Sequence, residues 1–237
     1  MLLLKVQHIY NANTQHTDAL SYFCPRMDVG TLITETIEQL KQTTLLEAIA
    51  VLFGMASVLL ANRNHVALYP TGIISTAIYI YIMSKPAVGL YAEAMLNVYY
   101  LVMSIYGWVL WMRHKESENP AAITHNNSRD WLITAAIVVI GWAILYTVLS
   151  KFTTSDVPVW DALVSATAWA GMWLLAKHKV ENWVLLNISN LIAIPLQIHK
   201  GIPFTAILTI FLFIVAVSGY FRWKKMYQLQ HEKTVTA

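Results

Sequence analysis

The sequence predicts an all-α integral membrane protein with seven transmembrane helices in a three-plus-one-plus-three arrangement. Composition and the length of the apolar runs carry the membrane assignment. Paired marks along the chain carry the arrangement. Of 237 residues, 57% are hydrophobic and only 12% are charged, with a mean hydropathy of +0.51. Soluble domains hold roughly 25% charged residues. Seven spans of about 20 residues would take roughly 140 positions, close to the whole apolar inventory. A soluble enzyme, a nucleic-acid binder and a disordered chain are all disfavoured. A net charge of +3 gives no polyanion partner, and the single cysteine, Cys24, allows no intrachain disulfide.

The leader and linkers come first. Residues 1–42 contain neither a signal peptide nor a span. Thr31 to Gln42 reads as a short amphipathic helix, and Met27 is a candidate start that would leave residues 1–26 untranslated. Residues 43–112 form a first repeat, 113–156 a loop and linker span, and 157–223 a second repeat. Residues 224–237 form a basic tail expected to fray.

The seven spans run Thr43 to Ala61, Val66 to Met83, Gly89 to Met112, Trp131 to Leu149, Val157 to Ala176, Trp183 to Ile198, and Pro203 to Trp223. Such runs read as helices because lipid offers the backbone no partners. Spans two and six are short and carry Pro70 and Pro195, so neighbouring helices should shape them. Arg113 to Asp130 is polar and reads as a mobile loop. Seven spans sort the Lys and Arg residues six against ten, which predicts the N-terminus outside and the C-terminus in the cytoplasm.

The repeat rests on ordered pairs. Gly107 and Trp111 near the end of span three match Gly219 and Trp223 near the end of span seven, 112 residues later. Gly89 pairs with Gly201 and Leu96 with Leu208 at that offset, while Leu60-Ala61 pairs with Leu175-Ala176 and Lys85 with Lys200 at 115. One span between two three-span units gives both the same orientation, as in transporters that bind cargo between parallel repeats.

Candidate chemistry lies in the few polar residues within spans. Trp183, Asn187, Asn190, Ile194 and Gln197 recur at four, three, four and three residues, one face of span six. Amides there are costly against lipid, and they suit a polar ring-bearing ligand or serve as interhelical glue. Span three repeats the theme with Glu93, Asn97, Tyr100, Ser104 and Gly107. Glu93, like Glu47 and Asp161, also complements a helix N-terminus. Trp169 and Trp173 of span five could stack on a flat, cationic ligand. Trp111, Trp131 and Trp223 sit at span ends and read as membrane-belt residues. Histidines fall at different span ends, so no metal or other cofactor is expected, and no phosphate-binding loop occurs. Clustered catalytic acids, which a membrane enzyme would need, and a large extramembrane domain, which a scaffold would need, are both missing from the sequence.

The blocks YPTGIIS (Tyr69 to Ser75), GLYAEAMLNVYY (Gly89 to Tyr100), MSIYGWVLW (Met103 to Trp111) and ENWVLLNISNLIAIPLQIHKGIPFTAIL (Glu181 to Leu208) resemble the PnuC family of vitamin transporters. The resemblance covers all seven spans. It implies a bundle similar to that of the SWEET sugar facilitators, a homotrimer, and facilitated diffusion of nicotinamide riboside, thiamine or riboflavin across the bacterial inner membrane. A cytoplasmic kinase would then trap the vitamin by phosphorylation. The family's W-x-x-W motif matches Trp183, but Leu186 stands at its second position, which leaves nicotinamide riboside and thiamine as rivals. The family's asparagines match Asn97 and Asn190. Trp183 would stack on the ring, Asn97, Asn187, Asn190 and Gln197 would bind polar groups, and Tyr100, Trp169 and Glu93 would line the site.

Overall fold

The computed structural model describes residues 29–85, 91–114, 122–153 and 157–235. These form eight helices: α1 (Val29–Gln42), α2 (Leu45–Asn62), α3 (Leu68–Met83), α4 (Tyr91–His114), α5 (Ser128–Phe152), α6 (Pro158–Ala176), α7 (Asn182–His199) and α8 (Pro203–Val235). Apart from the C-terminal end of α8, the helix ends lie within a few residues of those read from hydropathy. Five helices, α2, α4, α5, α6 and α8, are long and apolar enough to cross a membrane. α3 is apolar but has only 16 residues. α7 has 18, and its four amides lower its hydropathy. The candidate start at Met27 lies outside the described residues.

Each helix packs on the next within α2–α3–α4 and within α6–α7–α8, while α5 leans on α6. Two further contacts join these three-helix units: α4 meets α6, and α8 meets α2. The contacts are reciprocal, since the third helix of each unit meets the first helix of the other. Close approach at α6 follows from its small residues. Ala162, Ala166, Ala170, Gly171 and Ala176 are all buried, and small residues let backbones approach where lipid supplies no hydrophobic drive.

The turns after α2 and α6 are the same structure, hydrogen bond by hydrogen bond, 114 residues apart. In the first, Asn64 N–H donates to Ala61 O and His65 N–H to Leu60 O. In the second, His178 N–H donates to Leu175 O and Lys179 N–H to Leu174 O. Both are Schellman ends, with the left-handed residue at Asn64 (φ 51°) and His178 (φ 53°). The next helices then start alike, Leu68 on His65 and Tyr69 on Val66, Asn182 on Lys179 and Trp183 on Val180. One turn deeper, Ser75 donates to Ala50 O at 2.8 Å and Ser189 to Val164 O at 2.8 Å.

Packing repeats the pattern. A Cβ on Gly107 would collide with the Tyr69 ring, and one on Gly219 would lie 2.7 Å from Trp183 Cε2. Each ring then meets a tryptophan edge-on, Tyr69 with Trp111 at 6.4 Å and Trp183 with Trp223 at 5.6 Å. The facing pair between first and second helices is exchanged in size. Ser57 faces Gly72 in one unit, and Gly171 faces Leu186 in the other.

Three expectations need correction. Trp223 is fully buried, not a belt residue: its Nε1 donates to Ala61 O at 3.0 Å and its ring stacks on His178. Trp111 likewise packs on Tyr69 and His178, whereas Trp131 is exposed. The tail does not fray at Lys224, because α8 continues to Val235. Tyr227 there packs on His125 and His231, and Gln230 accepts from Ile123 N–H. The linker is also tied down over its described second half. Thr124 exchanges hydrogen bonds with His178 and Val180, and Ile123 is buried. Lys179 pairs with Asp130 at 2.8 Å, and His125 with Glu181 at 2.7 Å. Polar and charged residues of both segments find partners distant in sequence, which composition alone does not reveal.

α1 is amphipathic as expected and packs on α8. Gln39 anchors it, donating to Gly201 O at 2.8 Å and accepting from Phe204 N–H at 3.2 Å. Gly201 has φ 65°, the left-handed conformation that ends α7.

Candidate functional site

The faces of α7 sort its residues. Val184, Ile188 and Leu191 are exposed, the pattern of a lipid-facing stripe. Asn182, Leu185, Ser189, Ala193 and Leu196 are buried. Between them run Asn187, Asn190 and Gln197, all half-buried. Pro195 has no N–H to donate to Leu191, so the helix is one bond weaker at this depth.

Buried amides fall into two groups. Asn62 is saturated: its Nδ2 donates to Val215 O at 2.9 Å and to Ser218 Oγ at 2.7 Å, and its Oδ1 accepts from Arg222 at 3.2 Å. Gln39 uses both ends of its amide. Such amides fasten helices together. Asn187 Oδ1 and Gln197 Oε1, by contrast, are buried without a hydrogen-bond partner among the described residues. The indole nitrogens of Trp169 and Trp183 are in the same state. A buried polar group left unpaired costs about 1–3 kcal/mol. Four of the eight residues singled out from the sequence therefore carry an unmet hydrogen bond.

The others are placed as follows. Trp183 is 1% exposed and packed on Gly219 and Trp223. Trp169 stacks on Tyr99 of α4, ring centres 4.5 Å apart, where the two units touch. Asn97 Nδ2 lies 3.5 Å from Met83 Sδ. Tyr100 packs edge-on against Tyr99. Asn190 is half-buried on α7. Glu93 falls in the first turn of α4, and its side chain lies outside the described residues. The residues span both units rather than forming one closed cluster.

Sequence reasoning missed three participants. Tyr99, not only its neighbour Tyr100, joins α4 to α6: its hydroxyl donates to Trp169 O at 2.9 Å. Asn182 Oδ1 and the Tyr69 hydroxyl are both buried without a hydrogen-bond partner among the described residues. For Tyr99 and Asn182 the available signal was their position next to residues already chosen, and for Tyr69 its place at the head of the YPTGIIS block.

Two apolar grooves open on the helix surfaces. One, about 320 Å³, runs between α7 and α8 along Val184, Asn187, Leu191, Phe213 and Tyr220. The other, about 330 Å³, lies between α1 and α8. Only Asn187 of the candidate residues lines either one, and neither passes through the Tyr99–Trp169 contact. Among the described residues no cluster of His, Cys, Asp or Glu could hold a metal.

A family model described as nicotinamide mononucleotide transporter matches residues 44–225. The chain belongs to this family. It is 24% identical over 204 residues to the nicotinamide riboside transporter PnuC of Escherichia coli strain K12, covering 75% of this chain and 84% of that one. It is 23% identical over 194 residues to the nicotinamide riboside transporter PnuC of Neisseria mucosa, covering 76% and 72%. Its fold matches a crystal structure of the vitamin B3 transporter PnuC with a TM-score of 0.64 at 19% identity, over 96% of this chain and 98% of that chain. The PnuC resemblance seen in the sequence thus holds for the family and the fold, and the chain is a multi-pass transporter-family protein.

Proposed function

We propose that this protein carries nicotinamide riboside across the bacterial inner membrane by facilitated diffusion, with cytoplasmic phosphorylation trapping the cargo. The observation that supports the reading is the set of unmet hydrogen bonds on Trp169, Trp183, Asn187 and Gln197. Aromatic faces suit a planar cationic ring, and amides suit ribose hydroxyls and a carboxamide. The family description names a mononucleotide, yet among the described residues no lysine or arginine is buried. Lys179 and Lys200 are each paired with an aspartate. A phosphate taken from water would need such a cation, so the lining favours the riboside.

The transport unit we infer has seven spans, α2 to α8, with α2–α4 and α6–α8 as parallel repeats about α5. The matched turns, serine hydrogen bonds and glycine-seated rings support that division. The N-terminus lies outside and the C-terminus in the cytoplasm, three copies assemble with one path each, and a vitamin kinase works downstream. Rocking of the units about the seams α4–α6 and α2–α8 exposes the site alternately. Asn97, Tyr100, Asn190 and Glu93 complete the cargo contacts. Thiamine is the second reading, and Leu186 favours it: seated against Gly171, it replaces a second stacking ring with an aliphatic wall. The test is Asn190→Ala in an uptake assay with labelled riboside. Uptake is expected to be lost while the amount of folded protein is unchanged, and unaltered uptake would refute the role.

A further inference from the structure

Tyr69 is the counterpart of Trp183, 114 residues earlier in the chain. Each ring stands one residue into its helix, sits on a glycine of the following helix and meets a tryptophan edge-on. Tyr69 is 2% exposed and Trp183 1%, and both belong to one contiguous core cluster. Their polar atoms share a state as well: neither the Tyr69 hydroxyl nor Trp183 Nε1 has a hydrogen-bond partner among the described residues.

Packing does not account for that hydroxyl. A phenylalanine would fill the same seat without burying an unpaired group, and a buried tyrosine normally finds a partner. Hydroxyls nearby are all provided for. Ser57 donates to Leu68 O, Thr71 to Ala67 O and Ser75 to Ala50 O. The direction of the ring is informative. Cε1 and Cζ, the atoms at its hydroxyl end, lie against Gly107 of α4, with Ala176 of α6 beside them. The hydroxyl end therefore reaches the α4–α6 seam between the units. Trp183 reaches the α8–α2 seam through Trp223, which is bonded to Ala61.

We propose that Tyr69 is a cargo contact, the partner of Trp183 from the other unit, whose hydroxyl bonds a polar group of a ring-bearing, hydroxylated cargo at the seam. This rests on the vitamin-transport reading above. The experiment is equilibrium binding of nicotinamide riboside to the full chain, purified in detergent, for wild type, Tyr69→Phe and Ser75→Ala, with thermal unfolding of each cargo-free protein. Tyr69→Phe should weaken binding about three- to tenfold, the size of one hydrogen bond, with an unfolding temperature equal to or above wild type. Ser75→Ala should lower the unfolding temperature and leave affinity unchanged. Equal affinity of Tyr69→Phe and wild type would overturn the inference and leave the transport reading intact. A wild type that binds neither the riboside nor thiamine would remove both.

Discussion

The unit α2–α4 and the unit α6–α8 share a scaffold and differ in what they display on it. Both turn through a left-handed residue, Asn64 or His178. Both fasten their first two helices with a serine, Ser75 or Ser189, and both seat a ring on a glycine. At the same 114-residue offset, however, Ile73, Thr76 and Met83 of α3 stand where α7 has Asn187, Asn190 and Gln197. Thr76 spends its hydroxyl on Gly72 O of its own helix, while Asn187 and Gln197 keep acceptors unused. The turns, serine hydrogen bonds and glycine seats common to both units hold the bundle together. Cargo chemistry belongs to the polar atoms that these fastenings leave unused, and the amides among them stand in one unit only.

Breaking the unshared set should have the largest effect. Asn187→Ala should reduce riboside uptake more than about tenfold, because a site built to pair a polar group loses most when that group goes unpaired. Thr76→Ala, at the matching position to Asn190, should leave uptake within about twofold. Equal losses in the two variants would erase the distinction between the units.

Next come the ring seats. Gly107→Ala and Gly219→Ala each drive a methyl into a packed aromatic ring and should destabilise by about 1–3 kcal/mol. Thermal unfolding in detergent measures this, and a loss in only one of the two would show that the units do not pack alike. Smaller still, Ser75→Ala and Ser189→Ala should each cost about 1 kcal/mol, in parallel. The smallest effect is expected for Asn64→Gly, which relieves a left-handed backbone and should change stability by only a few tenths of a kcal/mol, roughly neutral to favourable.

Much of this fold was legible because lipid imposes one rule: long apolar runs become helices. Most of the span ends follow from it, and Gly107 with Trp111 and Gly219 with Trp223 were visible as a matched pair because they keep their residue types. The matched turns were hidden. Asn64 and His178 share a backbone but no side-chain chemistry, and Tyr69 and Trp183 share a seat but not an identity. Periodicity on α7 found the amide stripe, because polar residues stand out in a membrane helix. It could not tell that Trp223 turns inward, since a tryptophan at a span end suits both the lipid interface and the core. Nor could it foresee that Tyr99 reaches α6, since which of two adjacent tyrosines faces a neighbour is settled by helix rotation in the bundle. The tail and linker were misread for a related reason: their partners are distant in sequence, the linker's His125 and Asp130 meeting Glu181 and Lys179, and the tail's Tyr227 and Gln230 meeting His125 and Ile123.

The proposed cargo site is one of aromatic rings and amides, with no buried lysine or arginine among the described residues. Titrating the purified protein with nicotinamide riboside and, in parallel, nicotinamide mononucleotide tests it most directly. The riboside should bind at least about tenfold more tightly, because the phosphate would enter a site where no described lysine or arginine is buried to meet it. Binding of the mononucleotide as tightly as the riboside would contradict the account.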